Sequence, residues 1–206
     1  MSIRSLAIVL LGACGSVTTY QSADVLPRGK WNGMVALGAG GFTDNPQQAK
    51  TPTATLELAA RRGIGADTDV GLKLYTLGLE ASVRHRLSEG VWSWALLGSL
   101  GGVKTNATSP TGEAGLTQLR LGAVATKRRS PCWAWNMGPM TTFSLLRPAG
   151  GGTAGGALFG GFVGFDWRFG TNWHLIPELS LHFTVAGDVP VHGTVGMIGT
   201  GLTRDF

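Results

Sequence analysis

Residues Trp173 to Val185 read WHLIPELSLHFTV. Trp173, Leu175, Leu179, Leu181 and Phe183 occupy the odd positions, and His174, Glu178, Ser180 and His182 the even ones. Side chains of an extended strand point alternately to opposite faces, so a period of two marks a strand with one apolar and one polar face. The fold depends on which face is inside. A soluble sheet hides its apolar face. Here the apolar face carries bulky Leu, Phe and Trp, and the polar face carries groups of both charge signs.

The pattern recurs along the chain. Period-two segments run over residues 28–40, 53–62, 68–76, 78–87, 91–102, 116–126, 132–146, 157–169, 173–185 and 193–206. No helical period intervenes, and the links are rich in Gly, Pro, Asn and Asp, the residues of turns. The links alternate in length. Residues 43–52, 103–115, 147–156 and 186–192 are long, whereas GIGAD, SEG, KRRSP and GTN are short. The link at Thr76-Leu77-Gly78 breaks the alternation. Short turns at one end and longer loops at the other are what transmembrane barrels show.

Tryptophan and charge decide the sidedness. In an up-and-down arrangement Trp31, Trp92, Trp94, Trp133, Trp167 and Trp173 share one rim, with Trp135 two residues further in. Tryptophan favours the headgroup level, where its ring is half buried and its N–H meets water. Opposite the apolar faces lie Glu57, Lys73, Glu80, Arg84, Arg120, Asp166, Arg168, His174, Glu178 and His182. With lipid outside, that face points inward. The sequence therefore predicts an all-β, up-and-down antiparallel transmembrane β-barrel over residues 28–206. Ten strands fit best, with eight or twelve as alternatives. Lys73, Glu80, Arg84, Arg120, Asp166, Arg168 and Glu178 are expected to pair with one another and plug the lumen. Pro139 and Pro177 fall within strands, where each removes a ladder hydrogen bond. A bulge or a misplaced strand limit are the two explanations.

The N-terminus sets the location. Arg4 precedes the run LAIVLLGA (residues 6–13), which is too short for a transmembrane helix of about 20 apolar residues and has the layout of a secretory signal. Leu11-Gly12-Ala13-Cys14 resembles the bacterial lipobox, in which the chain is cut before the cysteine and the thiol is acylated. The resemblance implies a signal peptide over residues 1–13, lipidation at Cys14 and, with Gly15-Ser16 following, export to the outer membrane. Residues 14–27 are polar and non-periodic and read as a tether. With Cys14 acylated, Cys132 has no partner in the chain; without processing, a Cys14–Cys132 disulfide is the alternative. The C-terminal Phe206 on an alternating strand resembles the assembly signal of bacterial outer-membrane β-barrels. The resemblance is to an architecture, and it implies the outer membrane of a Gram-negative bacterium, with membrane lipid and the barrel-assembly machinery as partners.

Other motifs weigh less. The net charge of +5 comes without a recognition element, so no nucleic-acid partner is expected. Arg28, Lys30, Arg61, Arg62, Arg84, Arg86, Lys127, Arg128, Arg129, Arg168 and Arg204 lie near the tryptophan end and read as a solvated rim facing anionic headgroups. Gly150 to Gly155 fits G-x-G-x-x-G without a following helix, and Asn106-Ala-Thr108 is a sequon in a loop. No metal or other cofactor is expected. Glu178, Ser180 and His182 share one strand face, the residue types of an activated nucleophile, and form a catalytic alternative to a lumen network. The expected function is structural or surface-interacting. A barrel enzyme acting on lipid or peptide, or a narrow channel, are the alternatives.

Overall fold

The structure is a computed structural model that describes residues 17–43, 51–75, 78–105, 114–147, 152–187 and 193–206. Ten strands follow in order: β1 (Trp31–Thr43), β2 (Thr51–Gly63), β3 (Thr68–Tyr75), β4 (Gly78–Ser88), β5 (Ser93–Thr105), β6 (Ala114–Ser130), β7 (Trp133–Arg147), β8 (Ala154–Phe169), β9 (Trp173–Gly187) and β10 (Thr194–Asp205). Each pairs antiparallel with its sequence neighbours, and β1 pairs with β10, so the sheet closes into an up-and-down barrel. Closure runs from Asn32↔Asp205 to Thr43↔Thr194. Phe206 extends it, donating its N–H to the Trp31 carbonyl at 2.8 Å and accepting from Trp31 N at 3.4 Å. A closed ring leaves no unpaired strand edge, the condition for any sheet in hydrocarbon.

The alternation resolves as an inverted barrel. Leu37, Leu58, Leu72, Leu100, Phe143, Phe159, Leu181 and Ile198 are exposed on the outside, while Glu57, Asp69, Asn136, Thr142, Asp166, Ser180 and His182 have at most 2 % of their surface accessible. A polar interior under an apolar exterior is what a bilayer requires of a barrel. The tryptophans form a belt at the turn end. Trp133 lies opposite Trp167 and Phe169 opposite Trp173. The Trp133 and Trp135 rings meet edge to face at 5.9 Å, as do those of Trp135 and Phe165.

The prolines call for neither of the two explanations. Strands β7 and β9 run through Pro139 and Pro177, and the ladder lapses on one side of each. Pairing with β6 skips from Gly122↔Met140 to Ala125↔Met137 and resumes in the same register. Pairing of β9 with β8 skips from Gly164↔Glu178 to Trp167↔Leu175 in the same way. The missing N–H costs a few bonds without shifting a side chain to the wrong face. The register shifts lie elsewhere, at Arg86/Ser88, Arg128/Ser130 and Ala157/Leu158. Strand β6 also continues through Lys127-Arg128-Arg129-Ser130, which reduces the expected KRRSP turn to two residues.

Two expectations about position change. Arg61 and Arg84 do not sit on a solvated rim; Arg61 alternates with the outward Arg62, and both are buried in the lumen. Residues 17–27, the described part of the expected tether 14–27, lie inside the barrel: Thr18, Tyr20 and Ala23 are almost wholly buried. The polar composition that suggested a solvated tether suits a polar lumen equally well. The lipobox with Cys14, the sequon at residues 106–108 and the central parts of the long loops lie outside the described residues. Cys132 is an exposed free thiol in the β6–β7 turn.

Candidate functional site: the lumen and its N-terminal segment

The chain reaches the lumen from the turn end. Gly29, at φ 83°, lets the backbone reverse between Pro27 and Lys30, and Gly29 N donates to the Gly63 carbonyl at 2.8 Å. Upstream of this turn, residues 26 to 17 climb the lumen. Leu26 N donates to Asp69 Oδ2 at 3.1 Å, and Ala23 N donates to Thr126 Oγ1 at 2.6 Å. The Ser22 carbonyl accepts from Arg84 at 2.5 Å. Higher up, Thr18 Oγ1 donates to Glu57 at 3.0 Å.

Glu178 receives three hydrogen bonds from the segment. Its Oε1 accepts from Thr19 N, and its Oε2 accepts from Thr19 Oγ1 and from Tyr20 N, each at 2.7 Å. Tyr20 has φ 49°, and the consecutive N–H groups of residues 19 and 20 converge on one anion as in a backbone nest. Among the described residues Glu178 pairs with no cation, so the segment supplies the donors that a buried carboxylate needs. Glu178 was expected in an ion-paired network; its role here is to hold backbone.

Tyr20 fills a groove made of glycines. A Cβ at Gly201 would lie 3.2 Å from Tyr20 Cβ, and one at Gly38 would lie 3.1 Å from Tyr20 Oη. One at Gly199 would collide with that same oxygen, at 2.0 Å. The Tyr20 hydroxyl donates to the Leu37 carbonyl at 3.3 Å.

Charged side chains surround the segment in three groups. Asp69, with no accessible surface, lies between Arg61 and Arg84: Arg61 Nε is 3.0 Å from Oδ1 and Arg84 Nη2 is 2.5 Å from Oδ2. Higher up, Lys73 Nζ lies 3.3 Å from Glu57 and 3.7 Å from Glu80, and Arg120 lies 3.2 Å from Glu80. At the turn end Asp166 accepts from Arg168 at 3.4 Å and meets His174 at 2.8 Å. Arg168 and Arg128 both pair with Asp24 of the segment. Of the expected network, Lys73, Glu80 and Arg120 form one cluster, Arg84 belongs to the Asp69 group, and Asp166 and Arg168 belong to the mouth. A cavity of about 370 Å³ remains between segment and wall at this end, bounded by Asp24, Arg84, Asp166 and His174 among others.

Glu178, Ser180 and His182 do share the lumen face. Glu178 is occupied by the segment, and among the described residues neither the Ser180 hydroxyl nor either ring nitrogen of His182 has a hydrogen-bond partner. The serine–histidine bond that would activate a nucleophile is thus not made. Among the described residues no three His, Cys, Asp or Glu side chains could hold a metal.

Sequence reasoning missed Asp69, Thr19, Tyr20 and Asp24. Asp69 has the inward parity of β3, opposite Val70. Tyr20 is the one aromatic residue in a polar stretch, and the glycines at 199 and 201 have the inward parity of β10. Those were the available signals.

No protein-family model and no curated protein matches the sequence. Solved structures do. Neisserial surface protein A is 10% identical over 86% of this chain and 97% of its own, with a TM-score of 0.48. An outer membrane channel from Pseudomonas putida F1 is 11% identical over 89% and 98%, also at 0.48. Ail, the attachment invasion locus protein of Yersinia pestis, is 10% identical over 87% and 100%, at 0.44. At these values the likeness is one of barrel architecture and says nothing of activity.

Proposed function

We propose that this chain is an outer-membrane β-barrel lipoprotein of a Gram-negative bacterium, with a structural or surface-interaction role and a lumen closed by its own residues 17–27 together with paired charged side chains. The observation that carries the reading is the Glu178 carboxylate, held by three donors of Thr19 and Tyr20. A ten-stranded lumen is narrow, and a segment threaded through it leaves little free cross-section.

The long loops face outward in this reading and the tryptophan belt faces the periplasm. Arg62 over Trp31 at 5.3 Å, Lys127 over Trp92 at 5.1 Å and Arg204 over Trp173 at 5.2 Å set cations beside the belt, which supports a reading in which they meet anionic headgroups. Phe206, bonded to Trp31 across the seam, serves as the assembly signal. Cys14 carries the lipid, so mass spectrometry of the membrane fraction should find acyl mass on a chain that starts at Cys14. An N-terminus elsewhere would remove the lipoprotein part of the proposal.

The closed lumen has its own test. The 3.2 Å between Tyr20 Cβ and a Cβ at Gly201 is just below disulfide range, about 3.5–4.5 Å. In a Cys132→Ser background, Tyr20→Cys with Gly201→Cys should therefore oxidise to a cross-link recoverable as one linked peptide. Intact wild-type protein in planar bilayers should show little steady conductance. A missing cross-link alongside steady conductance from the wild type would reject the docked segment, since Tyr20→Cys itself removes the ring that seats it. Large, stable, ion-selective steps from the wild type would favour the channel reading, to which the cavity at the turn end would then belong.

A further inference from the structure

We infer that the cavity at the turn end binds a small zwitterion, an α-amino acid with an apolar side chain. Its volume of about 370 Å³ lies within the usual range of small-molecule sites. The walls carry both signs of charge: Arg61, Arg84 and Arg128 line the cavity together with Asp24, Asp166 and Asp205. A simple anion would meet the carboxylates there, and a simple cation the guanidinium groups. An unpaired charge taken out of water is costly. A ligand with both signs escapes that cost where the wall offers a donor and an acceptor side by side.

The strand register supplies that order. Arg61 of β2 lies opposite Asn32 of β1, and Asn32 lies opposite Asp205 of β10. Adjacent strands are about 4.8 Å apart, so guanidinium, carboxamide and carboxylate stand in one row roughly 10 Å wide. All three side chains line the cavity, and each keeps bonding capacity. Arg61 gives Nε and Nη2 to Asp69, and its Nη1 has no partner among the described residues. Asn32 gives Nδ2 to Asp205 Oδ1 at 2.7 Å, and its own Oδ1 has no partner among them. Asp205 Oδ2 meets His174 Nε2 at 3.4 Å, and each carboxylate oxygen can accept a second bond. The ligand carboxylate fits Arg61 Nη1, and the ammonium group on the same carbon fits Asn32 Oδ1 and Asp205. Charge-assisted bonds of this kind are about twice as strong as neutral ones. One step deeper the wall turns apolar. Met34 lies between Ala59 and Thr203 in the next inward row and packs against the cluster of Tyr20, Ala36 and Ile176. Met34, Ala59 and Ile176 all line the cavity, so a ligand side chain directed inward meets hydrocarbon.

The test is calorimetric titration of the full-length protein in detergent with three probes: L-leucine; isocaproate, which is leucine without its ammonium group; and isoamylamine, which is leucine without its carboxylate. L-leucine should bind once per chain, and each analogue at least about tenfold more weakly. Asp205→Asn keeps the shape of the side chain at the mouth of the cavity but removes its charge. It should weaken L-leucine at least about tenfold while the strand signal in circular dichroism stays unchanged. Ala59→Phe fills the floor and should abolish binding in a barrel that circular dichroism shows to be folded. No heat with L-leucine at millimolar concentration would overturn the inference. So would either analogue binding as tightly as L-leucine, which would mark a plain anion or cation site, or an unchanged affinity in folded Asp205→Asn or Ala59→Phe. The site depends on neither lipidation nor orientation. A barrel that is silent in planar bilayers and ignores L-leucine keeps its closed lumen and loses only the site.

Discussion

Asp69→Ala should be the most destabilising single substitution in the lumen, lowering the stability of the detergent-solubilised barrel by about 3–5 kcal/mol. Asp69 has no accessible surface, and its two oxygens serve Arg61, Arg84 and the Leu26 N–H together. Alanine leaves two guanidinium groups almost fully buried with their shared carboxylate gone, and it orphans a backbone donor of the segment. Removing one member of a buried charge group costs more than the group contributes, because the remaining charges cannot recover their hydration. Arg86→Ala is the control. Arg86 pairs with Asp67 and Glu89, both well exposed, and solvent-screened pairs of that kind contribute about 0–1 kcal/mol. Thermal or urea unfolding of the two variants side by side decides the matter. If Asp69→Ala unfolds no earlier than Arg86→Ala, the lumen is wet enough to solvate both arginines, and the dry, closed interior is wrong.

The barrel was legible because its signal is redundant. Alternation in WHLIPELSLHFTV and nine similar segments, the tryptophans gathered at one end and the charges on one parity all impose the same constraint, and a slip of one residue would turn every face over. The strand limits near the loops were less legible, because Thr51 and Pro52 read as turn residues yet continue the β2 ladder. The lumen site was legible only in part. Parity identifies Lys73, Glu80, Arg120 and Glu178 as inward, but not which of them meet, since pairs across a lumen depend on shear and on what fills the space. The segment at residues 17–27 was missed for a physical reason. Its contacts are largely backbone to side chain, with separations of up to 159 residues, and backbone donors leave no mark in a sequence. Period-two reasoning recognises only chains that alternate, and a chain held by the wall of a barrel need not.

The glycine groove gives the second large effect. Gly199→Leu should expel Tyr20 and open the barrel, with steady conductance steps in planar bilayers where the wild type shows little. A Cβ at position 199 would sit 2.0 Å from Tyr20 Oη and 2.6 Å from the Leu37 carbonyl. Moving the ring relieves the first contact, whereas the Leu37 carbonyl and Gly38 Cα, 2.9 Å away, require a local shift of the β1–β10 seam as well. Undocking a buried aromatic side chain loses about 1.5–3 kcal/mol of apolar burial. The displacement is transmitted directly, because Tyr20 N is also one of the donors to Glu178. Alanine at the same position is the milder probe: it brings the same Cβ and the same shift of the seam, but a smaller volume that displaces the ring less. Conductance should therefore rise in the order wild type, Gly199→Ala, Gly199→Leu. Tyr20→Ala combined with Gly199→Leu should differ little from Gly199→Leu alone, since the ring that the leucine displaces is already gone. A Gly199→Leu barrel that remains folded and silent would mean that the segment closes the lumen without Tyr20, through Glu178 and the Asp24 ion pairs alone.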